Sequence, residues 1–460
     1  MKKPELLLPA GTLAHQQYAY DFGADAVYAG QPRYSLRARN NEFKLEQLQK
    51  GIQVARERGK KLYVASNIIP HNSKIKTYLQ DMEPIIQLKP DALIMADPGL
   101  IMMVKDKWPD TEIHLSVQAN TTNYAAVKFW QRLGVSRIIL SRELSLDEIE
   151  EIRQICPDME LEVFVHGALC IAYSGRCLLS GYFNRRDPNQ GTCTNACRWD
   201  YKVHDTMETD TGDVRPLTLD GFDFNQELEN ANKEFSACGG VERHPAANKT
   251  YLIEDTSRPN EFMPIMEDEH GTYIMNSKDL RAIEHVERLA KIGITSLKVE
   301  GRTKSIYYVA RVAQSYRKAI DDACSGREFN TELLAELDGL ANRGYTDGFF
   351  QRHHSHEYQN YIDSHSKSRS SQYVGDVIEI DANGWGLVEV KNKFAVGDEI
   401  DIIHPSGNKT IVISTMVDRK EQRVEVAQGS GIFVKLPEMH GFENALLARI
   451  IPHHINELHK

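Results

Sequence analysis

Short apolar runs, each closed by residues that stop a strand, recur along the first 167 residues of this chain. They are ELLLPAG (5–11), AVYAG (26–30), KLYVASN (61–67), ALIMADPG (92–99), EIHLSVQAN (112–120), RIILSREL (137–144) and LEVFVHG (161–167), and SLKVEGR (296–302) adds an eighth much later. Amphipathic stretches lie between them, such as one with its apolar face at Leu45, Leu48, Ile52 and Ala55. Strands that are apolar almost throughout are those of a parallel sheet covered on both faces. The alternation predicts an α/β fold, a (β/α)8-type barrel with a long insertion between strands 7 and 8. A doubly wound open sheet is the alternative, but no G-x-G-x-x-G follows the first strand.

The pattern also places the boundaries. The barrel is expected over 1–352, interrupted by a cysteine-rich insertion at about 168–275, longer than any ordinary connection. Within it, the polar and acidic section 205–270 reads as a small β element or a mobile cover. Helical periodicity over 306–325 is followed by a second expected helix at 331–343. The polar stretch HHSHEYQNYIDSHSKSRSSQ (353–372) reads as a linker. From Tyr373 onward, short strands separated by turn residues predict a small antiparallel β-barrel over 373–460.

Composition narrows the function. With 460 residues the chain has room for two or three cores. Its 55 basic and 65 acidic residues give a formal charge of −10, which argues against sequence-blind coating of nucleic acid and leaves a local basic groove open. No stretch approaches the roughly 20 apolar residues of a membrane span, and the N-terminus has no signal-peptide pattern. A cytoplasmic protein with no membrane contact is expected, and there clustered cysteines are ligands or redox centres more often than disulfides.

Four of the seven cysteines, Cys170, Cys177, Cys193 and Cys197, are spaced C-x6-C-x15-C-x3-C directly after the seventh strand. Glycines and a proline among them (Gly167, Gly175, Gly181, Gly191, Pro188) allow tight folding around a small object. A structural zinc, an iron–sulfur cluster and disulfides are the three uses open to such a set. Only Cys193 and Cys197 have the close pairing of zinc knuckles, so the spacing modestly favours a cluster. Cys156 and Cys324 sit in helical contexts and read as small hydrophobes; Cys238 is a minor substitute ligand.

Basic residues gather at strand ends. Arg37 and Arg39 follow strand two, Arg142 ends strand six, and Arg302 and Lys304 follow strand eight. Several guanidiniums at one barrel mouth would bind carboxylates or phosphates through their bidentate fork. His166, Glu300 and Glu162 are candidate acid–base groups, although Glu162 can equally belong to a structural pair. No nucleophile elbow, H-E-x-x-H or P-loop is present.

At this point a resemblance becomes specific. E-x-F-x2-G-A-L-C-x3-S-G-x-C-x2-S, from Glu162 to Ser180, resembles the signature of the collagenase-like peptidase family U32. LLLPAG, GADAVYAG, SLRARNNEF, RDPNQGTCTNACRW, GTYIMNSKDL and SLKVEGRTKS resemble the same family along the whole chain, closest to its tRNA-hydroxylating branch. The resemblance implies oxygen-independent hydroxylation of the wobble uridine of tRNA to 5-hydroxyuridine. Prephenate, or a compound derived from it, would be co-substrate. Cys170, Cys177, Cys193 and Cys197 would hold an iron–sulfur cluster, expected to be 4Fe–4S. The expected catalytic residues are His166, Glu300 and Arg302, and the expected substrate-binding residues Arg37, Arg39, Arg142 and Lys304. Expected partners are tRNA and a small carboxylate donor, with room for a homo-oligomer. The alternatives are a collagenase-like peptidase and a non-catalytic tRNA-binding scaffold.

Overall fold

The computed structural model describes residues 1–31, 33–35, 43–168, 172–173, 176–177, 201–208, 214–216, 251–255, 262–268, 271–274, 279–301, 304–340, 345–351, 370–429 and 431–451. The apolar runs form the parallel strands β1 (Glu5–Ala10), β2 (Ala26–Gly30), β3 (Lys61–Ser66), β4 (Ala92–Met95), β5 (Ile113–Leu115), β6 (Arg137–Ile139), β7 (Glu160–Ala168) and β8 (Ser296–Val299). Each pairs with the next, and β8 pairs with both β7 and β1, so the sheet closes into the expected barrel. The closing register sets Glu5 beside Ser296 and Phe164 beside Lys298.

Helices α1 (Leu13–Asp21), α2 (Leu45–Glu57), α3 (Asn72–Gln87), α4 (Pro98–Lys107), α5 (Tyr124–Arg132), α6 (Leu146–Ile155), α7 (Val286–Ile292) and α8 (Ile306–Cys324) fill the connections between strands and follow β8. Several start on side-chain caps at the mouth of the barrel, the end where the strands finish. Thr12, Asp97, Asn123 and Ser305 each accept a hydrogen bond from a first-turn N–H, and Ser145 with Glu148 makes a reciprocal capping box. The loops leaving the strands are thereby pinned where a barrel carries its chemistry. A further helix, α9 (Glu332–Asp338), stops short of the expected 343, with Gly339 at its C-cap.

The chain divides into two compact units, Ala168–Asp279 and the remainder. In the smaller unit, Tyr201–His204, Tyr251–Asp255, Phe262–Asp268 and Gly271–Ile274 make a four-stranded antiparallel sheet. The C-terminal part of the larger unit is a seven-stranded antiparallel sheet curled over an apolar core that includes Val377, Val388, Ile402, Val434 and Leu447. It begins at Ser370 rather than Tyr373, because Ser370, Ser371 and Gln372 already pair with Ile451, Ile450 and Arg449. The expected linker therefore ends earlier than 372; its residues 353–369 lie outside the described residues. Among the described residues, no helix is long and apolar enough to cross a membrane.

Candidate active site at the barrel mouth

Strands β7 and β8 alternate where an all-apolar run was expected. In β7, Glu160, Glu162 and Phe164 alternate with Leu161 and Val163; in β8, Ser296 and Lys298 alternate with Leu297 and Val299. A period of two sends one set to one face of the sheet. That face is the lumen, because its side chains touch partners on strands that are not neighbours. Arg137 on β6 reaches Glu5 on β1 (2.6 Å), and Tyr63 on β3 donates to the same carboxylate (2.8 Å).

The lowest layer of the lumen holds Glu5, Tyr63, Arg137 and Ser296, whose hydroxyl donates to Glu5 (3.1 Å). Above it, Glu162 is wholly buried and takes Arg137 on one oxygen (3.2 Å) and Lys298 on the other (2.8 Å). Two carboxylates and two cations thus neutralise one another inside the barrel, as buried charges require. Burial alone would raise the Glu5 carboxyl; the charge and hydrogen bonds of Arg137, with the Tyr63 hydroxyl, reverse this and leave it below its ordinary value. Burial pushes Lys298 down from its ordinary value, and Glu162 only partly offsets this. His114, edge-on to Tyr63 at 4.6 Å, is driven well below the usual imidazole range by burial and by Arg137 and Lys298. Glu162 is therefore the structural pair that its position allowed.

The next layer opens on the mouth. Arg142, just past β6, lays its guanidinium over the ring of Phe164, with Cζ 3.7 Å from the centroid. Its Nη2 donates to Glu300, the residue after β8, at 3.2 Å. Both side chains are only 12% exposed, and the Nε of Arg142 is buried with no hydrogen-bond partner. Across the mouth, Asn67 after β3 donates to Gln118 after β5 (3.2 Å), and Gln118 also accepts from Ser116.

His166 does not join this layer. β7 carries one extra residue at Val165, where the register with β8 shifts, and the bulge turns the following side chain around. His166 instead packs among Tyr308, Tyr316 and Tyr345, with ring centroids 5.8, 5.5 and 5.5 Å away. The Tyr316 hydroxyl donates to the Val165 carbonyl (2.7 Å), so its oxygen accepts from Nδ1–H of His166 (3.4 Å). The Nε2 lone pair is left with no hydrogen-bond partner. Burial, helped by Arg281 and Lys304, holds this imidazole down at about 3, so it is neutral at physiological pH. Gly167, at φ +98°, lets the chain pass Glu300: a Cβ there would lie 2.5 Å from the Glu300 carbonyl oxygen.

Lys304 holds its ammonium 5.4 Å from the Tyr308 ring centroid, and its carbonyl accepts from Nε2 of His15 (2.9 Å). The structure thus brings Arg142 and Glu300 together and sets His166 and Lys304 around Tyr308. Arg37, Arg39, Arg302, Cys170, Cys193, Cys197 and Cys238 lie outside the described residues. Cys177 closes the two-residue strand Arg176–Cys177, paired with Ala172–Tyr173. Sequence reasoning passed over Glu5, Arg137, Lys298, Phe164 and Asn67. The alternation within 160–164 and 296–300 was the signal for Phe164 and Lys298.

The model of peptidase family U32 matches residues 11–360, and that of the family's C-terminal domain matches 369–449. The chain belongs to peptidase family U32. Among curated members it is 55% identical over 455 residues to tRNA hydroxylation protein P of Escherichia coli, covering 98% of this chain and 97% of that one. Identity to the Haemophilus influenzae protein of the same name is 54% over 97% of this chain and 96% of that one. Identity to tRNA hydroxylation protein P1 of Bacillus subtilis is 34%, over 93% and 90%. In the family signature E-x-F-x2-G, Glu162 anchors the lumen network, Phe164 carries Arg142, and Gly167 allows the approach to Glu300.

Proposed function

We propose that the protein hydroxylates tRNA, converting the wobble uridine to 5-hydroxyuridine without molecular oxygen, with prephenate or a compound derived from it as co-substrate. The substrate class rests on the near full-length likeness to tRNA hydroxylation proteins. The observation that carries the co-substrate is Arg142: a guanidinium at the barrel mouth, held by a single bond to Glu300, with its Nε still unpartnered. A planar carboxylate matches that edge in shape and charge. In this reading Arg142 binds and orients the co-substrate, Phe164 keeps water from beneath the ion pair, and Glu300 is the group able to hold a proton at the reacting centre.

Cys170, Cys177, Cys193 and Cys197 are proposed to hold an iron–sulfur cluster, on the chemistry of four thiols in a Gly-rich segment. When bound, the cluster would supply one-electron chemistry. Arg302, Lys304, Arg37 and Arg39 are proposed to meet the phosphates of the RNA, which would make binding weaken steeply with salt. A cytoplasmic location follows from that substrate.

The test is nucleoside mass spectrometry on tRNA from a deletion strain grown without oxygen. We expect 5-hydroxyuridine and its derivatives to disappear and to return with the wild-type chain but not with Cys193→Ala or Arg142→Gln. An unchanged nucleoside profile in the deletion strain would overturn the reading and return the peptidase to the front.

A further inference from the structure

Phe164 has a feature that packing alone does not require. An arginine side chain has several rotatable bonds, and a single bond from Nη2 to one oxygen of Glu300 leaves the guanidinium free to swivel about that contact. The ring 3.7 Å beneath Cζ removes this freedom, because the two planes can stay in contact only while stacked. Phe164 is itself held: it is 5% exposed, it sits two residues along the same lumen face from Glu162, and Lys298 Nζ lies 5.5 Å from its centroid.

We infer that Phe164 is a positioning residue for anion recognition, fixing the plane of Arg142 so that Nε–H and Nη2–H present one edge to a carboxylate, with Glu300 as the placeholder which that carboxylate displaces. The inference rests on the reading of Arg142 as the co-substrate's anchor. Nε and Nη2 are the two donors on the same edge of a guanidinium, and a bidentate acid needs both. Glu300 occupies one of them, at 3.2 Å, and the other is buried without a partner. An arriving carboxylate would satisfy the orphan donor and take over Nη2. Displacement takes the Arg142 donor away from the Glu300 oxygen, so that filling the anion site changes the surroundings of the proton-holding group.

The test uses the purified full-length chain and prephenate as the probe, with calorimetry for binding and steady-state tRNA hydroxylation for turnover. Phe164→Leu keeps an apolar side chain and removes the ring. It should weaken prephenate binding and raise its KM roughly tenfold, with a far smaller change in kcat at saturation, and Phe164→Tyr should restore most of the loss. Phe164→Met serves in its place if the leucine variant fails to fold. Unchanged prephenate affinity in the ringless variant, or a fall in kcat at constant KM, would overturn the role of Phe164. Arg142→Gln separates this from failure of the underlying reading. If that variant binds prephenate like wild type, the anion site itself is wrong. If it loses binding while Phe164→Leu does not, Phe164 alone is wrong.

Discussion

Inside the C-terminal sheet every side chain of the buried cluster is apolar, from Val374 through Phe394 and Ile402 to Leu447. Inside the barrel, Arg137 at 2% exposure and Glu162 at 0% meet Lys298, Glu5 and a neutral His114. The sheet follows the ordinary rule that burial of apolar area drives folding. The barrel lumen, which side chains of parallel strands normally fill with Val, Ile and Leu, is packed with ions. A buried ion pair is weak support for stability, since desolvation offsets most of the attraction. Its return is position: each charge is held by another strand's charge, and the top of the network is the platform under Arg142. The sheet core can be repacked by residues of suitable volume with a change in stability alone; repacking the lumen would also remove the platform under Arg142.

Removing one partner should test that contrast most strongly. Glu162→Leu leaves Arg137 and Lys298 short of a counter-charge, and we expect a loss of about 3–5 kcal/mol in urea unfolding. Combining it with Lys298→Met should recover most of that stability without recovering tRNA hydroxylation. A single variant within about 1 kcal/mol of wild type would show that the lumen charges are solvated individually rather than coupled. Leu447→Ala, in the sheet core, should cost about 3 kcal/mol through cavity formation and leave the KM for prephenate where it was.

A smaller effect separates the two regions by pH. His166 titrates at about 3 in the folded chain, against an ordinary value of 6.5. The unfolded chain therefore binds the extra proton first, and the stability this imidazole confers is complete above pH 6.5 and is lost as pH falls toward 3. Glu5, depressed in the folded state, acts in the same direction at still lower pH. Replacing His166 with Phe should flatten the acid limb of a melting-temperature profile between pH 6.5 and 3. An identical slope in wild type and variant would mean that the imidazole is not held neutral.

How much of this could be read from the residues differs between the regions for a physical reason. The eight strands were legible because continuous apolar runs have few other readings, and the closing partner of β1 followed from counting them. The antiparallel sheet was legible from its turns, such as 381–384. Glu300 and Arg142 were legible as strand-end polar residues, and the structure joins them. The lumen charges were not, because Glu5 and Arg137 open their strands and look like ordinary solvent-facing ends until closure folds them inward. His166 looked like a mouth residue because it stands at the end of the seventh strand, where barrels carry function; one bulged residue, invisible to periodicity, sends it to the tyrosines instead.

The smallest expected effect concerns the caps that tie the mouth loops to the barrel. Ser305 accepts from the N–H of Tyr308 at the start of α8, immediately after the loop that carries Arg302 and Lys304. Ser305→Ala should cost about 1 kcal/mol, the usual worth of an N-cap. The same change loosens the first turn of α8, where Tyr308 donates to the Glu300 carbonyl (2.9 Å) and packs against His166. If the mouth is built by this bracing, the variant should show a KM for prephenate raised more than its modest loss of stability would suggest. The C-terminal sheet offers the control: a substitution of equal thermal cost there, chosen from its core, should leave KM untouched. Equal effects on KM from both would mean that global stability, rather than local geometry, governs the site.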